Sequence, residues 1–235
     1  MSHRHAWAVV LVKPFRHAKQ RLAAVLDAGE RAHLARVMLE DVLCALDGCQ
    51  QRLAGVMVVT ADEDAMSIAR RHDAVIVAET TVDGLNAATM RAIDHLPRRH
   101  DASMIVVPAD LPHVSRTDIE DVVALIDRSP AVALVRASDG GTNLLACRPA
   151  GVIAPSFGLD SFRAHCVAAV RQGVTPTVRL APHLALDLDK PEDLTAFVSL
   201  ESATRTHAFL AGLDIHGRLA EQLPARTTGA AESGR

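Results

Sequence analysis

The chain has 235 residues, a net charge of −3, 49% hydrophobic residues, 3% aromatic residues and no tyrosine. That length and apolar fraction fit one sizeable α/β domain or two small ones and exclude a disordered chain. The interspersed charges and scarce aromatics argue against a nucleic-acid surface, a base-stacking platform or a polybasic membrane patch.

Short apolar runs alternate with helical patterns, which predicts parallel strands joined by crossover helices. The first strand is expected over residues 6–12, and the charged and rigid pair Lys13-Pro14 ends it too early for a signal peptide. A polar loop over 13–21 carries Lys13, Arg16, Lys19 and Arg21. In a doubly wound fold that loop overlies the ligand crevice, where cations neutralise a triphosphate; a solvated basic turn is the structural alternative. Neither GxxxxGK[ST] nor GxGxxG follows the strand, so a P-loop and the usual dinucleotide site are not expected. A helix is predicted over 30–47, a strand over 55–60, a helix over 65–71 capped by Asp62, and a third strand over 74–78.

Asp83-Gly84-Leu85-Asn86 opens a helix predicted over 85–96. Gly84 allows close backbone approach to a ligand, and the Asn86 amide both donates and accepts, as reading a purine edge requires; a turn with a helix cap is the alternative. The strand predicted over 103–107 ends in Pro108-Ala109-Asp110-Leu111-Pro112. A lone carboxylate at the carboxyl edge of a parallel sheet suits a metal ion held over a nucleotide phosphate, while a helix-capping aspartate reads the same way locally. Ser115 caps a helix reaching about residue 127, and a fifth strand is expected over 132–135.

The pattern then changes. Gly140-Gly141-Thr142-Asn143 reads as a backbone nest for a phosphate or carboxylate, leading into a strand over 144–148. Gly158 and Ser161 stand at the start of a helix over 159–172, a second place suited to an anion. Two short strands are expected over 174–180 and 184–188, with Asp187 and Asp189 alternating onto one face. Asp189 with Asp110 makes a two-carboxylate grip for Mg²⁺, and a helix cap by Asp189 is the alternative. Pro191 opens the next helix. The pattern weakens after residue 203, leaving a dimer contact and a mobile tail both open, and the small polar residues 224–235 are expected to be disordered.

Cys44, Cys49, Cys147 and Cys166 form no CxxC pair and are expected to be reduced, in a cytoplasmic protein. No apolar run reaches the ~20 residues that span a bilayer. The histidines lack HExxH spacing, and no GxSxG elbow points to a nucleophile. His113 and His165 lie near the expected site but read as packing or surface residues.

Lys13-Pro14 with Lys19 and Arg21, Gly84-Leu85-Asn86-Ala87-Ala88, Pro108-Ala109-Asp110-Leu111-Pro112, Gly141-Thr142-Asn143, Phe157-Gly158 through Ser161 to His165, and Leu186-Asp187-Leu188-Asp189 follow one another over roughly residues 6–198. This series resembles the phospholactate guanylyltransferase family of coenzyme F-420 biosynthesis. The resemblance implies a single-domain, nucleotidyltransferase-type three-layer α/β sandwich over residues 1–202 with a C-terminal extension over 203–235. It implies transfer of GMP from GTP to a phosphorylated three-carbon acid: 2-phospho-L-lactate, phosphoenolpyruvate or 3-phospho-D-glycerate. By matched position it implies Thr142, Gly158 and Ser161 as acid-binding residues, with Asn143 beside them. Asp110 matches a metal-binding aspartate, and the second ligand for Mg²⁺ falls in the Asp187/Asp189 pair, with Asp189 favoured. Lys13, Lys19 and Arg21 are expected to neutralise charge, with Lys13, Lys19, Gly84 and Asn86 at the nucleotide. Lys190 departs from the family's frequent Thr, and Leu144 from its common Ala. Rival readings are a same-fold transferase using a molybdopterin or sugar phosphate, a nucleotide-sugar glycosyltransferase, and a non-catalytic nucleotide sensor.

Overall fold

The computed structural model describes residues 6–81, 83–97, 102–184, 188–200 and 202–222. The chain begins with β1 (Ala6–Val12), whose β-branched and apolar residues suit a strand buried on both faces. It continues through α1 (Ala28–Asp47), β2 (Leu53–Thr60), α2 (Glu63–Arg71), β3 (Val75–Ala78), α3 (Leu85–His95) and β4 (Ser103–Pro108). Then come α4 (Arg116–Ala124), β5 (Ala131–Arg136), β6 (Thr142–Arg148), α5 (Ser161–Arg171), β7 (Thr177–Arg179), α6 (Pro191–Val198), α7 (Arg205–Ala211) and α8 (Ile215–Gln222). The described strands form one sheet in the order β3-β2-β1-β4-β6-β5-β7. Only β6 runs against the others, because the tight turn after β5 returns it between β5 and β4.

Successive strand residues point to opposite faces and build two cores. Val10 and Val107 face α1, α2, α4 and the C-terminal helices. Val9 and Val106 face α3 and α5. The expected three-layer arrangement with a mostly parallel sheet is thus observed. From β1 the chain first winds outward to β2 and β3, then resumes on the other side of β1 with β4. The crevice between the carboxyl ends of β1 and β4 is therefore a topological switch point, where open α/β sheets bind ligands. Because β6 is reversed, its first residues, Thr142 and Asn143, reach that same edge.

Several boundaries differ from the sequence expectation. α1 starts at Ala28 because Asp27 and Glu30 form a reciprocal capping box, with Glu30 N–H on Asp27 at 2.8 Å and Asp27 N–H on Glu30 at 2.9 Å. The strand expected over 174–180 is a three-residue strand, β7, which among the described strands pairs with β5 alone. Where a strand was expected to begin at residue 184, Pro182–Leu184 is a 3₁₀ turn, and residues 185–187 of that expected strand lie outside the described residues. After residue 203, α7 and α8 pack on the chain's own core through Leu210 and Ile215. The expected tail over 224–235 also lies outside the described residues.

Candidate active site

The loop after β1 folds into two 3₁₀ turns, Phe15–His17 and Gln20–Leu22. Phe15 anchors the first by packing into the core and donating its N–H to Asp62 at 2.8 Å. Between the turns, Lys19 takes the left-handed conformation (φ 51°), which costs a non-glycine residue about 1–2 kcal/mol. The Lys19 side chain is only 6% exposed. Its Nζ donates to Asp110 Oδ2 and to Asp189 Oδ1, each at 2.8 Å. Burial works against the ammonium's charge, but the two carboxylates outweigh it and hold the pKa above its ordinary value. Burial also opposes ionisation of Asp110, yet Lys19, with Lys13 as a weaker contributor, holds its carboxyl below the usual carboxylate range. Arg21, largely exposed, brings its guanidinium to 3.8 Å from Asp189.

Asp110 lies just beyond the carboxyl end of β4. Asp189 is held by the start of α6: the N–H groups of Asp189 and Lys190 both donate to Asp193 Oδ2, at 3.0 and 2.7 Å. With Asp193 serving the backbone there, the Asp189 carboxylate faces Lys19. Two hard carboxylate donors thus converge on one cationic point, the donor set that Mg²⁺ uses alongside substrate phosphates. The residues fit such an ion, which would be held by Asp110 and Asp189. An ammonium and a metal cannot share that point, because Mg²⁺ takes oxygen ligands at roughly 2.0–2.1 Å.

These groups line a cavity of about 570 Å³, and its other wall comes from β6 and the start of α5. There the Thr142 hydroxyl lies 3.0 Å from His165 Nδ1 and 3.2 Å from Ser161 Oγ. Gly158 (φ +139°) supplies a conformation that L side chains rarely adopt, and a Cβ there would meet nothing within 4 Å. No side chain caps α5. Asn143 also lines the cavity, while its amide donates to the Leu184 carbonyl.

The structure therefore brings together Lys13, Lys19, Arg21, Asp110, Thr142, Asn143, Gly158, Ser161 and Asp189. Other expected residues lie elsewhere. Leu85 lines the cavity, whereas Gly84 and Asn86 do not. The Asn86 amide is engaged on both sides by the Phe157 backbone, accepting its N–H at 2.6 Å and donating to its carbonyl at 3.1 Å. Asp187 lies outside the described residues. Arg16 is exposed and donates to His17. The expected backbone nest at Gly140-Gly141 is corrected: Gly140 N–H is bonded to Ala137 O and Gly141 N–H to Asp139 Oδ1, so neither is available to an anion. His165, expected to be a packing or surface residue, is fully buried, with Nδ1 3.0 Å from Thr142 Oγ1. Its i+4 spacing from Ser161 was the available signal, since it puts both side chains on one helix face. Away from the cavity, Cys44, Asp47 and His72 bring potential ligand atoms within 4.8 Å of one another, with the Arg205 guanidinium donating to the Cys44 sulfur.

A family model described as "Guanylyl transferase CofC like" matches residues 6–227. The chain belongs to this family. The CofC-like chain is 43% identical over 188 residues to the phosphoenolpyruvate guanylyltransferase of Roseiflexus castenholzii, covering 80% of this chain and 85% of the relative. It is 34% identical over 213 residues to the 3-phospho-D-glycerate guanylyltransferase of Phenylobacterium zucineum, covering 88% and 96%. It is 28% identical over 212 residues to the 2-phospho-L-lactate guanylyltransferase of Methanobrevibacter smithii, covering 89% and 91%. Among solved structures, a Desulfovibrio desulfuricans protein described as a nucleotide-diphospho-sugar transferase superposes with a TM-score of 0.70 at 17% identity, covering 93% and 98%. The CofC-like guanylyltransferase thus shares the fold of nucleotidyltransferases. Among its described residues no helix is long and apolar enough to cross a membrane.

Proposed function

We propose that this guanylyltransferase moves GMP from GTP to the phosphate of a phosphorylated three-carbon acid in coenzyme F-420 biosynthesis, and that Asp110, Asp189, Lys13, Lys19 and Arg21 serve the nucleotide while Thr142, Gly158 and Ser161 hold the acid. The observation that carries this reading is the convergence of Asp110 and Asp189 on Lys19, across one cavity from the Thr142 and Ser161 hydroxyls.

A phosphate oxygen of the acid attacks the α-phosphorus of GTP. The bond from that phosphorus to its bridge oxygen breaks, and pyrophosphate leaves with the electron pair. No protein nucleophile is needed. Cys147 is buried away from solvent, and that burial pushes its thiol up to about 12. Catalysis is then positioning and charge neutralisation. Lys13 and Arg21 offer exposed cations at the cavity mouth, and the buried Lys19 supplies a third to the triphosphate. Asp110 and Asp189 would hold Mg²⁺, which would supply charge neutralisation at the phosphates when bound. The Thr142 hydroxyl, braced by Ser161 Oγ at 3.2 Å, orients the acid. The free thiols of Cys44, Cys49, Cys147 and Cys166 suit a cytoplasmic reaction.

The test is pyrophosphate release from GTP and Mg²⁺ with phosphoenolpyruvate, 3-phospho-D-glycerate and 2-phospho-L-lactate supplied separately. Release with one acid names the substrate. Binding of GTP with no release from any acid points to another acceptor or to a sensor. Asp110→Ala is expected to abolish turnover with the far-UV circular dichroism unchanged; near-native turnover removes the metal assignment.

A further inference from the structure

His165 is fully buried on α5, 0% exposed, and none of the roles above uses it. Its ring sits between two partners of different character. The Ser156 backbone N–H points at Nε2 at 2.9 Å. A backbone N–H only donates, so Nε2 must present its lone pair and the ring proton of neutral imidazole sits on Nδ1. Burial keeps the ring neutral by pulling its pKa down to about 4. The edge of the Phe157 ring packs against it, with centroids 5.0 Å apart, which holds the ring plane.

Nδ1 lies 3.0 Å from Thr142 Oγ1, so with this tautomer its N–H donates to that oxygen. Ser161 Oγ donates to the same oxygen at 3.2 Å. A hydroxyl has two acceptor lone pairs and one proton. With both lone pairs engaged, the Thr142 O–H is left to donate, and Thr142 lines the cavity.

We infer that His165 is a positioning residue for the phospho-acid: the Ser156 N–H fixes the Nδ1–H tautomer, and that tautomer makes the Thr142 hydroxyl an obligate donor toward an anionic oxygen of the substrate. This rests on the reading of the Thr142 wall as the acid subsite. A neutral imidazole adds no charge to that wall, so the wall recognises the acid by the direction of its hydrogen bonds.

Three variants test the relay. Asn at 165 retains an N–H near the Nδ1 position. Gln at 165 retains an acceptor for Ser156 near the Nε2 position but has no donor for Thr142. Val at 142 keeps the shape of Thr and removes the hydroxyl. Steady-state pyrophosphate release is measured with the acid that supports turnover. Thr142→Val and His165→Gln are expected to raise KM for the acid about tenfold, the worth of one hydrogen bond to a charged group, with KM for GTP within about twofold of native. His165→Asn is expected to stay within about threefold of native for both substrates. Native KM for the acid in Thr142→Val would overturn the subsite reading and the relay with it. A raised KM in Thr142→Val beside a native one in His165→Gln overturns the relay alone. Equal losses in both His165 variants, for both substrates and with lowered Tm, assign His165 to packing and also overturn it. Imidazole ¹⁵N shifts of the native protein give a check independent of folding: a protonated Nε2 contradicts the tautomer.

Discussion

Lys19 compensates two carboxylates with one ammonium, from a left-handed backbone position that nothing in its immediate sequence favours. It also stands where a metal held by Asp110 and Asp189 must sit, so the two cations compete for one point. Lys19→Met is expected to lower turnover roughly 10²–10³-fold through lost charge stabilisation at the triphosphate. The same variant should bind Mn²⁺ about tenfold more tightly without nucleotide, because a competing unit charge has gone. Electron paramagnetic resonance titration of Mn²⁺ checks this, and unchanged affinity would rule out the competition. Lys19 and Asp110 were legible as candidates because each follows an apolar strand. Their mutual contact was not, nor was the engagement of Asn86 by the Phe157 backbone, since an amide reads alike in a cap and in a base-reading site.

At the scale of elements, the least legible were α7 and α8, of seven and eight residues. A helix this short is marginal by itself and takes its stability from packing. α7 is fastened to α1 by Asp41, which accepts from Arg205 N–H at 2.9 Å, Thr206 N–H at 2.8 Å and Thr206 Oγ at 2.7 Å. Asp41→Ala is therefore expected to destabilise the fold by about 2–4 kcal/mol, with amide exchange accelerated first through α7. Uniform acceleration across the sheet, or a native Tm, would contradict that anchoring role. β1, β4, β5 and β6 were readable because each carries a continuous apolar run buried on both faces. β7 was overextended because among the described strands it has one neighbour, and pairing with β5 sets where it stops.

For the whole molecule, the switch between β1 and β4 puts the crevice over a sheet packed on both faces. Lys19, with Arg21 3.8 Å from Asp189, offsets much of the crevice's negative charge, so the fold is expected to hold without metal. A chelator is expected to abolish turnover while leaving Tm within about 1 °C. Mg²⁺ alone should shift Tm little, whereas Mg²⁺ with GTP well above its Kd should stabilise by about 2–3 kcal/mol, as binding to the native state alone demands. Differential scanning calorimetry distinguishes these cases, and a large drop in Tm on chelation would give the metal a structural role instead.

The sequence alone determined the alternation of strands and helices, the basic loop after β1, the Asp110 loop after β4 and the family's ordered motifs. Those features are local, because propensity, capping and apolar periodicity act over a few residues. Tertiary structure alone decided that Lys19 meets Asp110 across 91 residues and Asp189 across 170. It also decided that the Gly140-Gly141 amides are consumed within their own turn, and that the Ser156 N–H meets His165 Nε2 while Thr142 Oγ1 meets Nδ1. The partner of a buried polar group is chosen by which elements pack together, and the energy of that choice is spread over the whole core rather than written in the neighbouring residues.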